Sequence, residues 1–392
     1  MLDVLVIGAG PSGSRTAWNL AKAGYSTVLV EEHEIVGEPC QCAGLITPRT
    51  FEYLGYKRPV SQEMNGARLW GPKDSFLNFQ ANETKALVID RPDLDRSIAE
   101  KAIDHGADLR SGHKYLGHRK SSKGIIATIQ SKSGKIELET KILVGSDGPA
   151  SRVARDAGLS SKREVLAAFG ADVEGYQGLD NHVDLFVGSE LAPRFFGWGI
   201  PTGPNTGRIG MATVLPNRPK NFFRDYFHKG APSKLLNGAK IVNRVSGLIP
   251  FGTREPSYTD NILLTGDAAG MAKPTSGGGI YSGLISADAA SEVIEASHKK
   301  EKFDSKTLSP YQDLLKKRIG GELSKGYHLR RAFLSLNDDQ LAEIISILGE
   351  PKVKSIIEKT GDLDYASLAA FSVLKAQPKL IKFAPLLLKP FI

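Results

Sequence analysis

The chain has 392 residues, of which 41% are hydrophobic and 24% are charged. It is too long for one small core and its composition is ordinary for a globular protein, so we expect two domains and an additional segment. The formal net charge of +8 is spread along the chain and does not indicate nucleic-acid binding. A surface that meets anionic lipids, or an acidic redox partner, explains the charge equally well.

Cysteine and histidine are too few or too scattered for several classes of site. The two cysteines, Cys40 and Cys42, exclude a disulfide framework and a structural zinc site, and a bond between them would close a small, strained ring. The eight histidines form no HExxH motif, so no metal site is predicted.

Residues 1–20 lack a basic leader, and no run approaches the roughly 20 apolar residues that span a bilayer. We therefore expect a cytoplasmic protein, soluble or peripherally attached to a membrane.

The first motif along the chain is a strand, a glycine-rich turn, a helix and a second strand. A β-branched run leads into G-x-G-x-x-G at Gly8, Gly10 and Gly13, and the second strand, Thr27–Val30, ends at Glu31. In such a unit the first glycine permits a tight turn, the second lets the backbone approach a pyrophosphate, and the third lets the helix pack close to the strand. The helix N-terminus would bind phosphates, and Glu31 the ribose hydroxyls. This order predicts a dinucleotide site and favours FAD or NAD over NADP.

Strand ends farther along the chain favour FAD over NAD. One strand precedes Arg91, another ends at Asp147, and a third ends at Asp267. An aspartate in this position can hold the ribityl chain of a flavin. The helix that starts near Gly279 can direct its N-terminal dipole at the flavin N1/C2 carbonyl, which carries negative charge in the reduced state.

The remaining segments predict a sheet and a helical end. Period-two alternation predicts strands, with examples at Val165–Val173, Val183–Val187 and Arg208–Val214. Apolar residues at helical spacing predict helices at Leu308–Arg318, Asp339–Leu348 and Tyr365–Leu374. The lysine-rich end, Lys375–Ile392, would either close the substrate cavity or contact anionic lipid.

Taken together, these motifs resemble the glutathione-reductase-type FAD fold in its p-hydroxybenzoate hydroxylase branch, and the Arg91…Asp95 pattern matches that branch. The resemblance covers roughly residues 1–300. It implies an α/β protein with a Rossmann-type FAD-binding domain, an inserted antiparallel-sheet substrate domain and a C-terminal helical region. The FAD domain would comprise residues 1–60, 85–160 and 250–300, the substrate domain residues 61–84 and 161–249, and the helical region residues 301–392.

Two segments narrow the resemblance to the geranylgeranyl reductases, which include archaeal enzymes that saturate the isoprenoid chains of membrane lipids. Residues 39–45 are similar to the family's P-x-x-C-x-G loop, and residues 196–201 resemble its Y-x-W-x-F-P pattern, with Phe196 for tyrosine and Ile200 for phenylalanine. By position, the resemblance implies FAD contacts at Ser12, Glu31, Cys42, Ala43, Gly44, Leu45, Arg91, Asp267, Gly279 and Ile280, with the backbone near Tyr115 beside the adenine. Phe196, Trp198 and Pro201 would line the substrate or belong to the sheet core.

The resemblance implies the two-electron reduction of an isolated C=C bond in a geranylgeranyl chain, with a hydride from N5 of reduced FAD and a proton from a donor. Cys42 is a candidate donor, or it packs against the flavin without a chemical role. No second G-x-G-x-x-G is present, so electrons would come from transiently docked NAD(P)H or from a ferredoxin-like protein. The alternatives are a monooxygenase or hydroxylase of the same fold, a flavoprotein that passes electrons to a quinone, and a non-catalytic flavin-binding module.

Overall fold

The computed structural model describes residues 1–159, 163–214 and 228–383. The strands are β1 (Leu2–Ile7), β2 (Thr27–Val30), β3 (Leu45–Ile46), β4 (Val60–Met64), β5 (Gly66–Trp70), β6 (Phe76–Gln80), β7 (Ala86–Ile89), β8 (Asp108–Arg110), β9 (Lys114–Lys120), β10 (Ile125–Ser131), β11 (Gly134–Gly145), β12 (Glu164–Glu174), β13 (His182–Gly188), β14 (Ala192–Gly203), β15 (Thr206–Val214), β16 (Lys240–Phe251), β17 (Tyr258–Thr259) and β18 (Ile262–Leu264). The helices are α1 (Pro11–Lys22), α2 (Pro48–Leu54), α3 (Arg91–Asp104), α4 (Arg152–Asp156), α5 (Gly230–Leu235), α6 (Gly266–Ala269), α7 (Ile280–Lys300), α8 (Ser305–Leu308), α9 (Pro310–Leu315), α10 (Gly321–Leu334), α11 (Asp338–Leu348), α12 (Pro351–Thr360) and α13 (Ala366–Ala376).

The first sheet has eight strands around a parallel core in the order β8-β2-β1-β11-β18. Residues 4–7 of β1 are all buried, as expected of a parallel strand that is covered on both faces. Ile7 pairs with Val30 on one side and with Gly145 on the other. The residues that follow these three strand ends therefore meet at one edge of the sheet, where α1 begins.

The second sheet has seven strands in the order β16-β12-β15-β14-β13-β5-β6. All three strands predicted by alternation lie in it, as β12, β13 and β15, each extended by one or two residues. Its pairs are antiparallel except for β5 and β13, which run parallel. The parallel pair follows from the chain path, because the chain passes through the first sheet between β6 and β13 and a crossover of this length permits parallel pairing.

A third sheet has the antiparallel order β3-β7-β4 and packs against α3 and α7 with one face and against β13 and β14 with the other. It receives β4, so the predicted substrate segment 61–84 divides between two sheets: β5 and β6 join the second sheet and β4 does not. The α/β architecture with an added sheet and a helical end is otherwise the one predicted from the sequence.

The C-terminal region is helical in its described part. The predicted helix Leu308–Arg318 corresponds to the end of α8, to α9 and to a π-helical turn at Lys316–Gly320. The helices predicted at Asp339–Leu348 and Tyr365–Leu374 correspond to α11 and α13. The predicted basic tail continues from α13 into a 3₁₀ turn at Pro378–Phe383, and its residues 384–392 lie outside the described residues. Among the helices of the described ranges, none has the length and apolarity needed to span a bilayer.

Candidate active site

A cavity of about 1250 Å³ opens at the carboxyl edge of the first sheet and reaches the second sheet. Its wall includes the glycine turn after β1, the loop between β2 and β3, parts of β14 and β16, and the segment that joins α12 to α13. Sites for one small ligand usually occupy roughly 300–1,000 Å³. The cavity therefore has room for a cofactor together with part of a substrate.

The glycine turn leaves open space beside the first turn of α1. A Cβ atom on Gly10 would meet nothing within 4 Å, whereas one on Gly13 would collide with the carbonyl of Gly8. Gly8 has φ +100°, a conformation that favours glycine. The first amides of α1 have no intrahelical partner and carry the positive end of the helix dipole. Gly10 thus admits a ligand close to the backbone, and α1 offers that ligand hydrogen-bond donors for phosphate.

Glu31 stands at the end of β2 and closes the turn. Its Oε2 accepts a hydrogen bond from the amide of Ala9 at 2.8 Å, and its Oε1 accepts one from the amide of His33 at 3.0 Å. The His33 ring lies 2.7 Å from the same oxygen through Nδ1. These contacts fix the carboxylate at the cavity wall, where its remaining lone pairs can accept hydrogen bonds from ribose hydroxyls.

Arg91 and Asp267 form the charged part of the wall. Arg91 binds both carboxylate oxygens of Asp95, at 2.7 and 3.1 Å. Burial raises the pKa of Asp267 to about 6, although Arg91 and Arg163 oppose the shift. Burial also raises the pKa of Asp95, and Arg91 opposes that shift as well. A carboxylate that is costly to ionise in the free protein gains a partner when a ligand hydroxyl donates to it.

The long helix α7 begins at this wall. Its N-cap is Gly279, and a Cβ atom on that glycine would lie 2.8 Å from Oδ1 of Asp267. Gly278, Gly279 and Ile280 all line the cavity. The N-terminal dipole of a 21-residue helix is therefore directed into the cavity beside Asp267.

Asp147 lines the cavity wall and also binds the first residues of α4. It accepts hydrogen bonds from Ser151 Oγ at 2.6 Å and from the amides of Arg152 and Val153 at 2.7 and 3.0 Å, at the start of α4. Burial raises its pKa. Tyr115 also lines the cavity, but its hydroxyl is engaged with His118 Nδ1 at 2.6 Å. A ligand near residue 115 would therefore find the hydroxyl already paired with His118.

The Cys42 loop covers another side of the cavity. Cys42, Ala43 and Leu45 line the wall, and Gly44, with φ +67°, does not. Both cysteines are free thiols; Cys42 Sγ accepts from the amide of Gly44 at 3.4 Å. Arg208 on β15 donates to the carbonyls of Ala43 and Ile89 at 3.0 and 2.9 Å. Arg208, which the sequence interpretation missed, thus fastens the loop to β7 and to the second sheet.

The aromatic strand β14 faces the far part of the cavity. Phe196, Trp198 and Ile200 line it, with the rings of Phe196 and Trp198 edge-to-face at 6.3 Å. Pro201 is buried but does not line the cavity. Successive side chains of a strand point to opposite faces, so Pro201 turns away where Ile200 turns inward. Of the predicted FAD contacts, all but Gly13 and Gly44 lie on the cavity wall.

Residues 1–291 match the family described as FAD binding domain. The chain belongs to this family. The open backbone at Gly10, the free amides of α1 and the fixed carboxylate of Glu31 fit the cofactor that the family binds. The predicted cofactor, FAD, is confirmed, and the protein is a flavin-dependent oxidoreductase.

Relatives of this flavoprotein match nearly its whole length. An uncharacterised protein of Methanocaldococcus jannaschii is 31% identical over 376 residues, covering 95% of this chain and 95% of that protein. A digeranylgeranylglycerophospholipid reductase of Methanothrix thermoacetophila is 28% identical over 361 residues, covering 88% of this chain and 90% of that enzyme. The predicted place in the geranylgeranyl reductase family is confirmed.

Solved structures share the fold. A geranylgeranyl bacteriochlorophyll reductase-like protein from Thermoplasma acidophilum has a TM-score of 0.88 at 22% identity, covering 97% of this chain and 98% of that one. A p-nitrophenol 4-monooxygenase from Pseudomonas putida has a TM-score of 0.73 at 17% identity, covering 94% and 98%. The fold of the flavoprotein thus occurs in a monooxygenase too and does not by itself decide the reaction.

A charged cluster at the cavity wall, with a buried ion pair at its centre, was missed by the sequence interpretation. Lys273, which precedes α7, pairs with Asp364, which follows α12, and Thr47 donates to the same carboxylate. Arg49 binds both oxygens of Asp362 at 3.1 and 2.8 Å and reaches Asp364 at 3.4 Å. We call these five residues the 273/364 cluster. It joins the C-terminal region to the part of the cavity wall where α7 begins.

Proposed function

We propose that the protein reduces isolated C=C bonds in the geranylgeranyl chains of an isoprenoid lipid, in the synthesis of membrane lipids. The observation that supports this most is the apolar continuation of the FAD cavity. Its wall there consists mainly of aliphatic and aromatic side chains: Met64, Phe79, Val183, Leu185, Phe196, Trp198, Ile200, Leu248 and Ile249. Such a wall binds a hydrocarbon chain by burying its apolar surface, and it excludes water. The full-length relatives named as reductases of a geranylgeranyl lipid support the same substrate class.

FAD, when bound and reduced, supplies the hydride that adds to one carbon of the alkene. The remaining task of the chain is to hold an unpolarised double bond still and dry while positive charge develops on the other carbon. The rings of Phe196 and Trp198 line this part of the cavity, and an aromatic ring attracts a cation to its face. We assign these two residues to the substrate wall on this basis.

Cys42 is our candidate for the proton donor. Cys42 lines the same cavity as Trp198 and lies in the loop that Arg208 fastens. Donation of the thiol proton to the second alkene carbon would complete the addition of H⁻ and H⁺, and water would return the proton afterwards. Cys42→Ser that binds FAD and keeps full turnover would leave Cys42 with a packing role only.

We propose NAD(P)H or a ferredoxin-like protein as the electron donor, and a peripheral contact with a membrane that holds the substrate. The contact surface would be the exposed face of α13, where Leu368 and Phe371 are 59% and 51% exposed and Lys375 follows in the last turn. Apolar side chains beside lysines suit the surface of an anionic bilayer. Flotation with anionic vesicles would test this: Leu368→Ser with Phe371→Ser should lose binding, and Val242→Ser, an equally exposed change on β16, should keep it.

An anaerobic half-reaction tests the main proposal. The FAD-loaded protein is reduced with dithionite, freed of excess reductant, and mixed with a geranylgeranyl lipid. Reoxidation of the flavin with a gain of two hydrogens for each double bond is the expected result; reoxidation that requires oxygen would instead indicate a monooxygenase. Trp198→Ala should lower kcat/KM at least tenfold. The control is Trp70→Phe, because Trp70 lies off the cavity and its Nε1 donates to Asp184. This variant should keep kcat/KM within about twofold of the wild-type value.

A further inference from the structure

The 273/364 cluster brings an ammonium group to the start of α7. The turn between α6 and α7 folds back on itself: the amide of Lys273 donates to the carbonyl of Gly278 at 3.0 Å, and the amide of Gly277 donates to the carbonyl of Lys273 at 2.8 Å. As a result, a Cβ atom on Gly278 would lie 3.5 Å from Nζ of Lys273. The side chain of Lys273 therefore rests against the backbone that begins α7.

Both members of the central ion pair are buried. Lys273 is 6% exposed and Asp364 is 2% exposed, and both line the cavity. An ion pair without solvent acts at a lower dielectric than a surface pair, so its field reaches a ligand in the cavity with little screening. The main consequence of the pair is therefore its electric field at the cavity, because the contribution of a buried pair to stability is often small.

The formal charges of the cluster sum to zero, but its positive and negative groups face different directions. Lys273 faces Gly278, whereas the second carboxylate oxygen of Asp364 is turned to Thr47 and Arg49. Asp362 precedes Asp364 in the same loop and is bound by Arg49. The positive end of the cluster therefore adds to the positive end of the α7 dipole at the cavity wall.

We propose that Lys273, positioned by Asp364, sets the reduction potential of the bound FAD by placing a positive charge beside the N1/C2 end of the reduced flavin. Reduction of FAD with N1 left ionised takes up two electrons and one proton and leaves a negative charge at that end. Lys273 compensates this charge, so the protein binds the reduced cofactor more tightly than the oxidised one. The inference rests on the flavin lying with this end at α7, and not on the reduction of a geranylgeranyl chain.

The experiment measures the midpoint potential of bound FAD, by dithionite titration with a reference dye, at pH 7.5 and without any isoprenoid. Lys273→Met should weaken binding of reduced relative to oxidised FAD by tenfold or more, a shift of about 30 mV to lower potential for each tenfold in a two-electron couple. In Lys273→Arg the ratio of the affinities for reduced and oxidised FAD should stay within about threefold of the wild-type ratio. Lys273→Arg combined with Asp364→Asn should shift the potential upward, because the guanidinium stays protonated after losing its counter-ion.

Asp93→Asn is the matched control: it removes a carboxylate that also binds an arginine through two nitrogens, but Asp93 binds Arg58 and lies off the cavity. Its potential should equal that of the wild type. A wild-type potential in Lys273→Met, or a downward shift in the double variant, would overturn the proposal and leave Lys273 a structural clamp. If Lys273→Met does not retain FAD, the direction of the shift in the double variant decides. The half-reaction with lipid can fail without affecting any of these potentials, so the two proposals fail separately.

Discussion

The carboxylate of Glu31 accepts a hydrogen bond from the amide of Ala9 at 2.8 Å, across two neighbouring parallel strands. This bond joins the end of β2 to the glycine turn after β1. The shape of the glycine turn and the position of the Glu31 carboxylate therefore depend on each other.

Glu31→Ala should weaken FAD binding by about tenfold to a hundredfold, since a hydrogen bond to a charged group contributes roughly 1.5–3 kcal/mol. Titration of the FAD-free protein with FAD, followed by flavin fluorescence, measures the affinity. Glu34→Ala is the control, because Glu34 makes an exposed ion pair with Lys132 and does not line the cavity. Equal affinities for the two variants would contradict the role of Glu31.

Asp267 should make the stability of the FAD-free protein depend on pH in an unusual direction. Because its pKa is raised to about 6 on folding, the folded state binds the proton more tightly than the unfolded state, whose pKa is near 3.9. Its contribution to stability is therefore most favourable below pH 4 and is lost as the pH rises to 6. At pH 7, Asp267→Asn should raise the free energy of unfolding by about 2 kcal/mol, and at pH 4 it should change little.

Urea unfolding of the FAD-free protein at pH 4, 5.5 and 7 measures this effect. Asp260→Asn should change the free energy of unfolding in the opposite direction. Hydrogen bonds from Ser305 lower the pKa of Asp260, so the carboxylate stabilises the folded protein at neutral pH and loses this effect as the pH falls. That variant should lower the free energy of unfolding at pH 7. A stabilising effect of Asp267→Asn that is the same at pH 4 and pH 7 would show that ionisation is not the cause.

The parts of the site that the sequence predicted are those built from short spacings. The glycines of the turn and Glu31 lie within one βαβ unit, and Asp267 lies in α6, shortly after β18 and before the helix that it faces, so local patterns suffice to find them. The pair of Lys273 with Asp364 spans 91 residues, and no periodicity links the two. Arg208 reads as one polar residue of an alternating strand, because only the packing of β15 on the Cys42 loop gives it partners.

The helical region shows a similar limit. The predicted helices have apolar stripes, but α12, Pro351–Thr360, buries only Val353 among its residues, and α10 contains glycines at both positions 321 and 326. Weak stripes and glycines are poor helix signals. Packing against the second sheet and the neighbouring helices determines that these segments are helical. One of them, α12, leads into the loop that carries Asp362 and Asp364.

Removing Arg208 should free the Cys42 loop. Arg208→Met loses the hydrogen bonds to the carbonyls of Ala43 and Ile89, so the loop opens more often and its thiol meets solvent. In a Cys40→Ser background, the rate at which a thiol reagent labels Cys42 should rise at least tenfold. Arg119→Met, which removes an exposed ion pair with Glu137, should leave the rate unchanged. Equal labelling rates would mean that the loop is held by other contacts.

Arg49 should determine whether the C-terminal region stays attached to the rest of the protein. Its guanidinium binds Asp362 through two nitrogens and lies 5.0 Å from the ring centre of Tyr365. Arg49→Met should lower the free energy of unfolding by about 1 kcal/mol, a modest value because the guanidinium is partly exposed. It should also expose the segment between α12 and α13 to protease at low protease concentration.

Arg58→Met is the matched control for this last prediction. Arg58 has a similar exposure and also binds a carboxylate through two nitrogens, that of Asp93 at the start of α3. Within the described part of the chain its ion pair is with Asp93, so its loss should cost similar stability without cleavage between α12 and α13. Mass spectrometry of the first fragments distinguishes the two variants. The same fragments from both would mean that cleavage follows overall unfolding, and that Arg49 does not hold the C-terminal region in particular.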